Sequence, residues 1–253
     1  MKRLLNKVIV VSGGTKGIGK GIVIEAAKEG AKVVFGGRDK VAANKILDEV
    51  KAIHGEALFV ETDLRLIEQC KNLFFQAYNI YGKIDGFVNY AGLTYISSVA
   101  NCDEETFDDI FDVNIKAAFF CTQQALNYMK ESGGAIIMFG SPHDEMGEED
   151  RTAYACSKAA LSVLSSHVSK YYAKYGIRTN YITMGWTPTE GELKLREKQG
   201  MSEKELREFA ATKIPVGRMQ EVEDHVPIVV FLLSDDAKMI NGSNVRVTGG
   251  LYF

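Results

Sequence analysis

Two residues four apart, Tyr154 and Lys158, stand near the start of a long amphipathic stretch. In a helix that spacing puts both side chains on one face, a turn apart. A free phenol titrates near pH ~10, and a neighbouring ammonium favours its phenolate, so the pair reads as an acid/base poised toward neutral pH. Any surface helix can pair tyrosine with lysine in this way, so the reading needs support elsewhere. That support lies at residues 12–19, where Ser12, Gly13, Thr15, Lys16, Gly17, Ile18 and Gly19 follow the apolar run 8–11 and lead into a helical pattern reaching 29. Strand, glycine-rich turn and helix form the arrangement that binds a dinucleotide pyrophosphate. Backbone N–H groups must approach the phosphate closely, which a Cβ at Gly13, Gly17 or Gly19 would block, and the helix dipole then faces the anion. The first gap is one residue wider than in the common Gly-x-Gly-x-x-Gly.

These residues need a scaffold, and the rest of the chain supplies its pattern. Apolar, β-branched runs at 7–11, 32–36, 57–61, 86–89, 135–140, 178–184 and 244–247 alternate with helical patterns at 17–29, 41–52, 67–81, 106–130, 152–175 and 222–233. Such alternation predicts an α/β fold, a doubly wound parallel sheet of about seven strands with helices on both faces. The 253 residues, 46% hydrophobic with four prolines and no linker-like stretch, predict one domain over 1–253. Residues 186–219 stand outside the alternation, highly charged with a helical run near 202–212, at the end of a strand where ligands bind in open sheets. They are the predicted substrate loop. A net charge of −3, with both signs interspersed, gives no general attraction to nucleic acid or to an anionic membrane. No apolar run approaches a membrane span, and the start of the chain is too short in apolar residues for a secretory signal. Cys70, Cys102, Cys121 and Cys156 lack metal-ligand or disulfide spacing, so no metal is expected, and reduced thiols in a cytoplasm fit best. Cys156, inside the tyrosine–lysine turn, is read as core.

Taken together, the residues resemble the short-chain dehydrogenase/reductases in their one-domain form, over essentially the whole chain. The likeness rests on Gly13, Gly17 and Gly19, on Asn89, Tyr90, Ala91 and Gly92 after the fourth strand, and on Asn114, Ser141, Tyr154, Lys158 and Asn180 before Met184 and Gly185. By that resemblance Tyr154 is the general acid in carbonyl reduction and the base in oxidation. Ser141 hydrogen-bonds the same oxygen, Lys158 holds the nicotinamide ribose and lowers the Tyr154 pKa, and Asn114 carries a proton-relay water. The resemblance also implies that Asp63 and Leu64 touch the adenine, that Asn89, Ala91 and Gly92 line the adenosine ribose, and that Gly185, Thr187 and Thr189 hold the carboxamide. Ser12 stands where threonine is usual, Tyr90 where a second asparagine is usual, and Met184 where proline is usual. The segment after Ser141 is unusually acidic; His143 within it is a candidate substrate contact or, more plainly, a solvent-facing loop histidine.

Cofactor choice is read from the end of the second strand. NAD enzymes place a carboxylate there for the ribose hydroxyls, whereas this chain has Gly37 and then Arg38. Arg38 and Lys16 are the cations placed to meet a 2′-phosphate, which favours NADP(H) over NAD(H). Trp186, the only tryptophan, is expected beside the nicotinamide, where an aromatic wall suits an apolar or ring-shaped alcohol or ketone. Steroid-like, cyclic-ketone and sugar-type substrates all fit this reading. Reduction of an acyl chain on carrier protein is a rival, but relatives that do this carry arginines where Ser132 and Tyr175 stand. A nucleotide-sensing or scaffold protein is the other alternative; such relatives are expected to lose the tyrosine or lysine, and here both remain. Apolar residues in 106–130 and 152–175, including Phe107, Phe111, Phe119, Phe120 and Tyr171, exceed what one sheet face needs. With the resemblance they imply a homo-oligomer, a dimer of dimers, with Leu251, Tyr252 and Phe253 near a second interface.

Overall fold

The five inner apolar runs form strands buried on both sides of the sheet, as parallel strands require, while the two edge runs are only partly covered. The structure, a computed structural model, describes residues 2–146 and 148–251; Tyr252 and Phe253, expected at an interface, lie outside the described residues. The strands are β1 (Val8–Ser12), β2 (Lys32–Gly37), β3 (Glu56–Glu61), β4 (Gly86–Asn89), β5 (Gly134–Gly140), β6 (Ile177–Met184) and β7 (Asn244–Val247). All pair in parallel, in the order β3-β2-β1-β4-β5-β6-β7. The chain starts in the middle, winds outward to β3, and returns to lay β4 beside β1. Strand order therefore reverses between β1 and β4, and a crevice opens at their C-terminal ends.

Side-chain alternation sends Ile9, Val11, Val33 and Phe35 to one face, under α1 (Gly17–Lys28), α2 (Lys40–Ala52) and α9 (Val222–Leu233). Val10, Val34, Phe87, Ile136 and Met138 point the other way, under α3 (Ile67–Tyr81), α5 (Ala118–Met129) and α6 (Thr152–Tyr171). A smaller cluster of Leu206, Ala210, Ile214 and Met219, with Trp186 packed on it, gives the 186–219 segment its own core.

Three elements depart from the sequence expectation. The helix expected over 106–130 divides into α4 (Glu104–Phe111), a wider π turn (Asp112–Ala117) and α5. Asn114 lies in that π turn and is tied to Leu93 in a distant loop, a long-range constraint that periodicity does not carry. The stretch 152–175 ends as α6 at Tyr171, followed by a single 3₁₀ turn that Gly176 terminates at φ 71°. Residues 186–219 hold two helices, α7 (Glu190–Lys198) and α8 (Glu203–Lys213); α7 buries no residue, so it has no apolar stripe to reveal it.

Candidate active site

The glycine turn closes over the end of β1. Gly13 takes φ 76°, and a Cβ there would come within 2.9 Å of Ala91 Cα, while a Cβ on Gly19 would strike the Gly13 carbonyl. Lys16, which precedes α1, makes no side-chain cap bond to the helix start. Beneath the turn, the Ser12 hydroxyl donates to Asn89 Oδ1 at 3.2 Å and the Ala91 amide donates to the Ser12 carbonyl at 3.2 Å. Ser12, Ile18, Gly19 and Asn89 thus support the crevice floor.

Two cavities share this crevice. One, of about 320 Å³, is lined by Gly13, Thr15, Lys16, Gly17, Arg38, Asp63, Leu64, Ala91, Gly92 and Thr189. The other, of about 340 Å³, is lined by Ser141, Tyr154, Lys158, Gly185, Trp186 and Thr187, with Gly92 and Thr189 common to both. Tyr90 also borders both. Its ring packs edge-on against Phe139 at 5.2 Å, and its hydroxyl lies against the Gly17–Ile18 backbone. The tyrosine that replaces asparagine is therefore a wall between the two halves, and burial pushes its phenol up to about 12.

Tyr154, Lys158, Ser141 and Asn114 are all buried. Ser141 lies close enough to the Tyr154 phenol to hold its pKa down. Lys158 Nζ donates to the Phe139 carbonyl at 2.9 Å and lies 5.7 Å from the Tyr154 ring centre. Asn114 Oδ1 accepts from the Leu93 amide at 2.7 Å, and its Nδ2 donates to the Leu93 carbonyl at 2.9 Å and to Ser157 Oγ at 3.0 Å. Ser157 in turn donates to the Tyr154 carbonyl at 2.7 Å, which locks the π turn to α6. Sequence reading missed Ser157, although a hydroxyl three residues after Tyr154 is a usual helix back-bonding pattern.

Burial reverses one expectation about the pair. It raises the Tyr154 pKa above 10.0, and Ser141 opposes this only in part; it lowers Lys158 from 10.5 to about 8. Desolvation is the largest influence on the phenol, so Tyr154 is a protonated acid at neutral pH.

Two residues, His143 and Cys156, are placed differently from expectation. His143 is not solvent-facing: its side chain is 12% exposed and packs edge-on against the Tyr154 ring at 5.8 Å. Burial lowers its pKa, and it lines the second cavity. Cys156 is exposed rather than core, because two residues along α6 turn it about 200° away from Tyr154. Asp63 is clamped by Arg65, whose Nη2 lies 2.7 Å away, so its carboxyl is held below the usual range. Arg65 also lines the nucleotide-side cavity, a third cation beside Arg38 and Lys16. Lys16 is 3.2 Å from Asp39 and 3.8 Å from Glu190. Thr189 caps α7, accepting from the Glu192 amide at 3.4 Å, and Thr187 Oγ1 lies 2.8 Å from Nε2 of buried His225. Burial lowers that histidine to about 4, so it stays neutral at pH 7. Trp186 donates from Nε1 to Glu192 at 2.7 Å.

The residues fit a nicotinamide dinucleotide. A Cβ at Gly92 would sit 3.3 Å from Lys158 Nζ and 3.4 Å from Asn114 Oδ1, so the glycine keeps open the space where the two cavities meet. Among the described residues no group of three His, Cys, Asp or Glu is placed to hold a metal, and no helix is long and apolar enough to cross a membrane.

Comparison with known proteins gives the same outline. A family model described as enoyl-(acyl carrier protein) reductase matches residues 13–252. The L-rhamnose 1-dehydrogenase (NAD(P)(+)) of Azotobacter vinelandii is 32% identical over 255 residues, covering 98% of each chain. The 3-oxoacyl-(acyl-carrier-protein) reductase FabG of Thermotoga maritima is 31% identical, covering 98% of this chain and 99% of its own. A solved short-chain type dehydrogenase/reductase from Mycobacterium marinum superimposes with TM-score 0.87 at 26% identity, covering 98% of this chain and 96% of that one.

Proposed function

Because the chain belongs to the short-chain dehydrogenase/reductase family, we propose that it interconverts a secondary alcohol and a ketone with NADP(H), using Tyr154 as general acid and base. The observation that carries this reading is the convergence of Tyr154, Ser141 and Lys158 on one cavity that opens onto the glycine turn. A bound NADP(H) supplies or takes up the hydride. In reduction, Tyr154 gives its phenolic proton to the carbonyl oxygen while Ser141 donates a hydrogen bond to the same atom, where charge develops. In oxidation the alcohol proton returns to Tyr154. Lys158 faces the ribose position kept open by Gly92, and the glycine turn with the start of α1 holds the pyrophosphate. Asn114 has both Nδ2 protons committed to protein partners, so its main part is to fix Leu93 and, through Ser157, α6; a relay water would use its second Oδ1 lone pair or its main chain. The whole chain acts as one catalytic unit, with 186–219 roofing the substrate.

A panel of alcohols and ketones, followed by nicotinamide absorbance with each cofactor, tests this reading. Absence of turnover with every member would favour the nucleotide-binding scaffold. The acyl-carrier reading, which the named likenesses keep in view, still lacks cations at Ser132 and Tyr175 for docking an acidic partner.

NADP(H) preference rests on Arg38 and Lys16 lining one cavity with no carboxylate at Gly37. Replacing Arg38 by Leu is expected to weaken NADP(H) binding about tenfold or more, since a charge-assisted bond contributes ~1.5–3 kcal/mol, and the effect should shrink at high salt. Gly37→Asp should push further toward NAD(H). A Cβ at Gly37 would meet Thr15 Cγ2 at 2.6 Å, so this change is best made with Thr15→Ala. The readout is the kcat/KM ratio for the two cofactors, and a parent enzyme that already prefers NAD(H) refutes the assignment.

The outer faces of α4, α5 and α6 leave Phe107, Phe119 and Tyr171 exposed, an apolar surface that a monomer rarely presents. Association through these helices is the expected use, giving a tetramer or dimer; sedimentation as a monomer at micromolar concentration would exclude it.

A further inference from the structure

The second cavity contains a buried cation that the reaction described above does not use. Arg151, three residues before Tyr154, has a side chain only 7% exposed. Its backbone is pinned where the 148–152 segment meets Ser97, through a bridge and through the Thr152 amide donating to the Ser97 carbonyl at 3.2 Å. Its Nη1 donates to Thr94 Oγ1 at 3.4 Å, but its Nε, fully buried, has no hydrogen-bond partner among the described residues. Nε is ion-paired at longer range with Glu148 at 3.5 Å and Asp150 at 4.0 Å, carboxylates with about half their side chains exposed.

The other cations of the cavity are committed. Arg196 is bonded to Glu192 at 2.7 Å, and Lys158 to the Phe139 carbonyl. The half-exposed Glu148 and Asp150 offset the Arg151 charge without taking up the buried Nε hydrogen, which is left an unused donor, and the flat fork of the guanidinium matches a further carboxylate. Arg151, the residue that precedes α6, lines the same cavity as Tyr154, so a carboxylate bound there shares that cavity with the reacting carbon. We propose that Arg151, with Thr94 beside it, is a substrate-carboxylate site, so that the substrate is a short hydroxy acid and the product the matching oxo acid. This rests on the oxidoreductase reading: the carbinol carbon loses a hydride to NADP+, its hydroxyl proton passes to Tyr154, and the carboxylate is unchanged.

The test compares short 2- and 3-hydroxy acids with their primary amides in the parent protein, Arg151→Gln and Arg151→Lys. The acid-to-amide ratio of kcat/KM is expected to be about a hundredfold or more in the parent, to fall near unity in Arg151→Gln mainly through KM, and to be intermediate in Arg151→Lys. Binding is read separately by titrating the NADPH complex with malonate and following NADPH fluorescence. Saturable binding is expected in the parent and its loss in Arg151→Gln, with NADPH binding retained as the check on folding. If Arg151→Gln does not fold, the parent and Arg151→Lys decide the matter. Glu148→Gln removes a competing carboxylate and should leave malonate binding equal or tighter; if it instead abolishes binding as Arg151→Gln does, Arg151 is a strut for its loop. Equal use of acids and amides, or failure of malonate to bind the parent complex, overturns the proposal. Should no compound be turned over with either cofactor, the oxidoreductase reading falls, and malonate binding still decides the anion site.

Discussion

Tyr154→Phe is expected to bind NADPH as the parent does and to lose turnover by roughly a thousandfold or more. The variant removes one oxygen and keeps the ring that packs against His143, so little cavity opens and the fold should hold. What disappears is the proton donor and the partner of Ser141 at the oxygen where charge develops; general acid catalysis contributes ~10²–10⁴, and a lost oxyanion donor a further ~10²–10³. The two effects overlap because they act on one atom, so their product is an upper limit. The direction of the Tyr154 shift also sets a pH signature. With its pKa raised above 10.0 by burial, the free enzyme carries the acid form through neutral pH, so reduction is not limited by proton supply there. Oxidation needs the phenolate, so its kcat/KM should climb with pH on the alkaline side. Near-parental turnover by Tyr154→Phe, on a substrate the parent accepts, would remove Tyr154 from the mechanism.

Most of what Tyr154 depends on could be read from the chain, because it is encoded locally. The i, i+4 spacing with Lys158, the contiguous glycine turn and the apolar strands that end at the crevice each sit in one short window. The doubly wound parallel sheet was legible in the same alternation, which leaves the strand order to the structure. What escaped has a common cause. The π turn around Asn114 exists because a side chain reaches a loop twenty-one residues earlier. His143 is largely covered because the acidic loop folds back onto Tyr154, and Arg151 is buried because that loop meets Ser97. Each is a property of loop course, which carries no periodicity. Cys156 shows the opposite failure: its neighbours Tyr154, Ser157 and Lys158 face inward, and the same periodicity turns it outward.

Lys158→Met should separate stability from function by moving them in opposite directions. Turnover is expected to fall by at least two orders of magnitude, because the ammonium that lies over the Tyr154 ring beside Gly92, and is proposed to hold the ribose, is lost. Stability without cofactor should rise. Lys158 is buried, and the drop of its pKa from 10.5 to about 8 corresponds to a cost of roughly 3 kcal/mol for holding the charge in the folded state at neutral pH. Methionine matches its length without the charge, while the orphaned Phe139 carbonyl returns ~1 kcal/mol or more of that cost. A net gain of about 1–2 kcal/mol, or roughly 2–8 °C in Tm, is the expected result for a chain of this size. The pH dependence fixes the sign. Between about 8 and 10.5 the unfolded lysine holds a proton that the folded one has released, so the parent gains stability as pH rises through that window. The variant has no such group, and its advantage should be full below pH 8 and close toward pH 10.5. Denaturant titrations at pH 7 and pH 10 measure both ends. A variant that is less stable at pH 7, by a margin that does not change at pH 10, would mean that packing around the lysine stem, rather than its buried charge, sets the energetics of this site.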